Sequence, residues 1–281
     1  MPVIPFHDEN PVQRKPYVTT AIIVINVLAL LYIQNLGEHD GREFHARHGF
    51  VPLRVKQLTN PKPVRVELYS QEEMRAGVLI PDGKFPVVDL APVPSQILTC
   101  VITSLFLHGG WMHLIGNMWF FWIFGDNIED RLGHFFFLMF YLLGGVIASF
   151  CHYYSAIGLG GESIPVIGAS GAVAVTLGAY AVTYPFTRVR TLIFLVVFFT
   201  VVELPALIVL GFWFFMQIAN ATQAWNLNIG GGVAWWAHVG GFAAGAIIMP
   251  FLAAGSPDAG QNWNIEAEEQ FDYEVPSRDY T

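Results

Sequence analysis

Gly168-Ala169-Ser170-Gly171 and Trp235-Trp236-Ala237-His238-Val239-Gly240-Gly241 each open an apolar run of the chain. Their reading decides the fold. A hydroxyl and an imidazole would each stand at the head of a membrane-length segment. Polar groups are expensive in lipid, so an intramembrane ionisable side chain marks a functional position by default. A serine able to share a proton with that histidine is the pairing of a nucleophile and its base.

The composition of the whole chain agrees with a membrane setting. Of 281 residues, 54% are hydrophobic and 13% charged, against about 25% charged in soluble domains. The apolar residues come in blocks, without amphipathic spacing. The net charge of −8 gathers in the segment after Ala254, where seven carboxylates from Asp258 to Asp279 face only Arg278. That segment, 254–281, reads as a solvated, disordered acidic tail. No basic or aromatic-interleaved stripe points to nucleic acid. His45 and His48 lack a metal-binding pattern, and neither a metal nor a cofactor is implied. Two cysteines, Cys100 and Cys151, cannot form a disulfide framework, and a single bridge between them is left open.

Six spans are expected. The first covers about Val18 to Gln34 behind Arg14 and Lys15, and no small-residue cleavage site follows it, so it reads as an uncleaved helix. Residues 35–94 form a long loop with eight basic and eight acidic residues, compact and partly ordered by its aromatic and Leu content. Leu98 to Leu107 is too short to span. The second span runs from Met112 to Gly125 and ends at the polar turn Asp126–Arg131. The third covers His134 to His152 and the fourth Ser170 to Tyr184. Leu192 to Val202, dense in β-branched and aromatic residues, reads as an interfacial segment that does not span. Glu203 is then a headgroup-level group, and Glu129 is expected to pair with Arg131. The fifth span starts at Leu204-Pro205, with Pro tolerated in a first turn, and ends near Ile218. The sixth covers Val233 to Leu252. Arg14, Lys15, Arg131, Arg188 and Arg190 share one side, which assigns it as cytoplasmic with both termini inside.

Helix four is short, rising about 22 Å against a hydrocarbon core of about 30 Å. Ser170 is therefore expected below the outer boundary, with the preceding loop dipping into the membrane and lining water. His238 begins helix six at a matching depth. Gly241 and Gly245, with Gly171 and Gly178 on helix four, let the two backbones approach closely. His113 and Asn117, spaced i, i+4, share a face of helix two. With the Ser170 N–H at a helix N-terminus, they are candidate donors to a developing oxyanion. His108 would orient or rim the site.

These motifs resemble the rhomboid family of intramembrane serine proteases. Gly168-Ala169-Ser170-Gly171 matches the nucleophile motif. Ala237-His238 with Gly241 and Gly245 matches the histidine helix. His108-Gly-Gly-Trp-Met-His113-Leu-Ile-Gly-Asn117 matches the second helix, and Glu129-Asp130-Arg131-Leu132-Gly133 the polar turn after it. The resemblance covers about residues 17–253, with residues 1–16 as a cytoplasmic N-terminal segment. It implies an all-α integral membrane bundle of six helices with a long outer loop between helices one and two. It further implies a Ser170–His238 dyad without a carboxylate, oxyanion donors at His113, Asn117 and Ser170, and supporting positions at His108, Gly168, Gly171, Gly241 and Gly245. Single-pass membrane proteins would be cut near the outer face of the cell (inner) membrane, the partners being those substrates and lipid. Two positions depart from some members. The first loop lacks a Trp-Arg pair, and Ala174 stands where an aromatic would support the histidine. Two other readings compete. A catalytically idle client-binding relative would lack the nucleophile or base, and a polytopic transporter would show midplane charges or repeated halves.

Overall fold

The computed structural model describes residues 3–68, 86–157, 161–195, 198–227 and 233–254. The acidic tail after Ala254, and the parts of the expected loops at 158–160 and 228–232, lie outside the described residues. Apolar runs become helices in lipid because each backbone N–H and C=O must find its partner within the segment. Four helices are long and apolar enough to cross a membrane: α1 (Tyr17–Asn35), α5 (His134–Ala156), α7 (Ala206–Asn226) and α8 (Trp235–Ala254). A fifth span is met by α3 (Pro94–Thr103), with its 3-10 extension to Phe106, taken together with α4 (Trp111–Leu132) across an 80° bend. The sixth apolar helix, α6 (Ser170–Thr183), has only 14 residues. Between 28% and 39% of each long apolar window is buried, so the rest, including Leu28, Phe135, Leu143, Phe215 and Phe251, forms an apolar belt facing outward. Such a belt suits lipid and would be a liability in water.

The core gathers around α6, whose residues from Gly171 to Ala181 are all buried. Tyr141, Phe121, Phe124, Leu177 and Tyr180 fill it. Helices α6 and α8 touch backbone to backbone. A Cβ at Gly178 would run into the Phe242 carbonyl, and one at Gly245 into the Val175 carbonyl. Gly241 meets the Gly171 carbonyl, and Gly240 meets Cys151 of α5, in the same way. The small residues expected to permit this approach therefore do so.

The loop between α1 and α3 builds its own small core. It contains α2 (Glu38–His48), a 3-10 turn over Pro52–Leu58, and a two-stranded antiparallel hairpin of β2 (Val64–Glu67) and β3 (Val87–Leu90). Ala46, Val51, Val66, Leu68, Val88 and Leu90 pack together there. This unit pins the segment that leads into α6. Phe50 and Val166 exchange two backbone hydrogen bonds of 3.0 and 2.8 Å, and the Leu53 N–H donates to Glu162 O. Lys56 bridges Glu162 at 2.5 Å.

Two expectations are corrected, and three further positions gain their structural context. The second span does not end at Gly125: α4 continues to Leu132, because Asn127, Glu129, Asp130 and Arg131 are buried against the N-terminal segment and α1. Glu129 takes its partners from α1 where Arg131 was expected. Its carboxylate accepts the Val18 and Thr19 N–H groups at 2.8 and 2.7 Å, the Thr19 hydroxyl at 2.7 Å, and His134 Nδ1 at 2.6 Å. Pro16 offers no side-chain cap to α1, so a carboxylate from another helix fills that role. Residues 192–195 and 198–202 lie in the antiparallel strands β4 (Arg188–Leu195) and β5 (Phe198–Pro205), and β1 (Val3–Asp8) adds antiparallel to β4 in the order β1-β4-β5. Glu203 is paired within that sheet, facing Arg188 and Arg190 at 3.4 Å. Cys100 and Cys151 are free.

Arg14 donates to Asp130, and β1 brings the N-terminal segment against β4. The basic positions Arg14, Arg131, Arg188 and Arg190 thus gather at the end opposite the start of α6.

Candidate active site

Ser170 is the first residue of α6, and Ala169 before it contributes no side-chain cap. First-turn N–H groups lack intrahelical acceptors, so this end of α6 offers amides to a negative group. Gly168 has φ +130°, a backbone state that L side chains rarely adopt. Its N–H donates to Ser104 O at 2.9 Å. A Cβ there would lie 2.8 Å from His113 Nε2 and 3.7 Å from Asn117 Nδ2. The main chain two residues before Ser170 therefore lies directly against both side chains.

His113 and Asn117 come from the first two turns of α4. Asn117 Nδ2 lies 2.9 Å from His108 Nε2. The amide can only donate there, so His108 Nε2 is an acceptor and His108 is the Nδ1–H tautomer. His108 is fully buried and packs edge-on against His113, with ring centroids 4.9 Å apart. It thereby holds both neighbours in place. His45 of α2, in the outer loop, is buried nearby, and burial holds its imidazole down at about 4, neutral at neutral pH.

His238 lies in the first turn of α8. That turn packs beside Gly171, where a Cβ would lie at ordinary contact distance from Ala237 Cβ (3.7 Å) and its carbonyl (3.9 Å), while the tight approach at Gly171 is to Ala148 Cβ of α5 at 2.8 Å. Residues next to Ser170 and next to His238 are thus in contact. Ser170, His113 and Asn117 are partly exposed, whereas His238 is 8% exposed. Its Nε2 is buried and takes no hydrogen bond, while Nδ1 lies 2.9 Å from Gln217 Oε1 on α7. Trp213 and Trp235 flank the ring at centroid distances of 6.0 and 5.9 Å.

The missing aromatic at Ala174 has a physical reason. A Cβ at Gly241 would lie 3.3 Å from Ala174 Cβ, so a larger side chain at 174 would push α8 away. The aromatic support comes from α7 and α8 instead. Sequence reasoning missed Gln217, Trp213, Trp235, Ser104 and His45. Gln217 left one signal, an amide at the end of the apolar run 206–218. Among the described residues no cluster of His, Cys, Asp and Glu is arranged to hold a metal ion.

A family model described as the Rhomboid domain matches residues 95–255. The presenilin-associated rhomboid-like protein, mitochondrial, of Mus musculus is 32% identical over 157 residues, covering 51% of this chain and 41% of that protein. The presenilin-associated rhomboid-like protein A, mitochondrial, of Danio rerio is 31% identical over 156 residues, covering 50% and 40%. The Homo sapiens counterpart is 33% identical over 107 residues, covering 38% and 28%. The chain thus spans less than half the length of the curated relatives it matches. With more than half of its residues in the matched domain, and with its apolar helical bundle, the chain is a multi-pass membrane protein of the rhomboid family.

Proposed function

We propose that this protein is an intramembrane serine endopeptidase working through a Ser170–His238 dyad, with no cofactor. One observation carries the reading: Gly168 packs on His113 and Asn117, while Gly171, one residue past the serine on its other side, packs on Ala237 beside His238. This supports a site whose hydroxyl, imidazole and hydrogen-bond donors are carried on three apolar helices that pack at neighbouring residues. The mechanism follows from their chemistry. His238 Nε2 takes the Ser170 proton as Oγ attacks the peptide carbonyl. The Ser170 N–H, one proton of the Asn117 amide and His113 donate to the oxyanion that forms. The second Asn117 proton stays on His108 and fixes the amide's orientation. As the intermediate collapses, His238 returns the proton to the leaving amine. Water, activated by the same imidazole, then hydrolyses the acyl-enzyme.

The substrates in this reading are single-pass membrane proteins, cut near the outer face of a cell membrane with both termini of the enzyme inside. Residues 17–253 form the protease unit, 1–16 an N-terminal cytoplasmic segment and 254–281 a tail. The relatives named above are mitochondrial proteins by name. The test is cleavage of a labelled single-pass helix by protein reconstituted in liposomes. Wild type is expected to cleave and to label with a fluorophosphonate, and Ser170→Ala and His238→Ala to lose cleavage while still folding. Cleavage surviving Ser170→Ala would overturn the reading.

A further inference from the structure

We infer that Gln217 is a positioning residue for His238, holding the imidazole in the tautomer that leaves Nε2 free toward Ser170. This rests on the dyad reading above and adds a third member to it.

The assignment follows from hydrogen-bond valence. Gln217 and His238 are both more than nine-tenths buried, 7% and 8% exposed. The Gln217 Nε2 donates to the Trp213 carbonyl at 3.3 Å, which orients the amide with Oε1 toward the histidine. A carbonyl oxygen only accepts, so at 2.9 Å His238 Nδ1 must carry the proton. The neutral ring then has its lone pair on Nε2, the nitrogen without a partner. A base poised to take the serine proton needs that tautomer. An orienting group behind the base completes the geometry of an activated nucleophile, and here it is a neutral amide from the neighbouring helix, not a carboxylate.

The packing makes this contact conditional on α7. Trp213 and Gln217 are i, i+4 on one face of α7, so the ring beside His238 and the amide that fixes it arrive together. Moving α7 away from α8 would remove both. The other titratable groups facing His238 are His113 from α4 and His152 from α5, and no carboxylate faces it among the described residues. Gln217 is therefore the group that decides which nitrogen is protonated.

The experiment uses the full chain in liposomes with Gln217→Met, Gln217→Glu and Ser170→Ala beside wild type. The first readout is the 15N spectrum of histidine-labelled protein, with the His238 resonances identified by their loss in His238→Gln. In wild type His238 is expected with Nδ1 protonated and Nε2 unprotonated, and in Gln217→Met as a mixture of tautomers. The second readout is kinetic. Gln217→Met is expected to lower kcat at least tenfold with KM within twofold. Gln217→Glu is expected to restore most of that loss and to move the acidic limb of the pH–kcat profile upward, since a carboxylate at Nδ1 favours the imidazolium. A wild-type tautomer spectrum and kcat in Gln217→Met would overturn the inference. So would a kcat loss that Gln217→Glu does not reverse and that a lowered melting temperature accounts for. Cleavage surviving Ser170→Ala would instead overturn the dyad, while the spectrum still judges the Gln217–His238 contact.

Discussion

Replacing Glu129 with Ala tests how the first helix is held. The α1 N-terminus has no local cap, and the Glu129 carboxylate from α4 accepts the Val18 and Thr19 N–H groups and the Thr19 hydroxyl. Glu129 and Thr19 are each 0% exposed. Truncation leaves two amide donors buried without acceptors, at about 1–3 kcal/mol each. The hydroxyl can turn to another acceptor and is not counted. The sum, about 2–6 kcal/mol, brackets the about 3–5 kcal/mol cost of removing one partner from a buried ion pair. At about 2–4 °C per kcal/mol, the melting temperature in detergent, followed by tryptophan fluorescence, should fall by about 4–24 °C. Glu129→Gln keeps one acceptor oxygen and should lose about half as much. A melting temperature of Glu129→Ala within about 2 °C of wild type would refute the reasoning, since it would mean that the α1 amides do not depend on the carboxylate.

Two further outcomes follow from local geometry. Gly168→Ala combines a φ of +130° with a Cβ 2.8 Å from His113 Nε2, so it should displace His113 and lower kcat by about 10–100-fold, in line with the cost of misplaced catalytic groups. Wild-type kcat in that variant would remove His113 from the site. Asp8 is held by Tyr180 and Asn127 at 2.6 and 3.0 Å, and burial pushes it up from 3.8 to about 6. At Asp8 the folded state then binds more of a proton than the unfolded one between pH 4 and 6, so this group's contribution to stability falls by about 3 kcal/mol as pH rises through that window. His45, held at about 4, acts with the opposite sign, so the comparison is with Asp8→Asn, whose melting temperature relative to wild type should rise as pH increases from 4 to 6. Equal slopes would remove Asp8 as the source.

Much of this architecture was legible before any coordinates. The helices α1, α5, α7 and α8 follow from apolar runs alone, because lipid forces each segment to satisfy its own backbone. Pro205 marked the start of α7, which begins one residue later. Ser170, His238, His113, Asn117 and His108 were visible as polar groups where polar groups are costly, and the stacked glycines announced the close contact of α6 with α8.

What the tertiary structure alone decided is which distant groups meet. Strand β1 pairs with β4 across some 180 residues, and strand pairing leaves no mark in either partner's own sequence, so residues 192–202 read only as apolar and β-branched. Glu129 had a basic neighbour two positions away, yet its partners come from α1 and from His134, because residues two apart on a helix do not face each other while the uncapped α1 end presents free amides. Gln217 looked like one amide on an apolar helix until packing set it behind His238. Helix formation in a membrane is a local matter, governed by each segment's own backbone, and sequence by itself determines it. Hydrogen-bond partners between segments are fixed only when helices and strands pack, and that requires the fold.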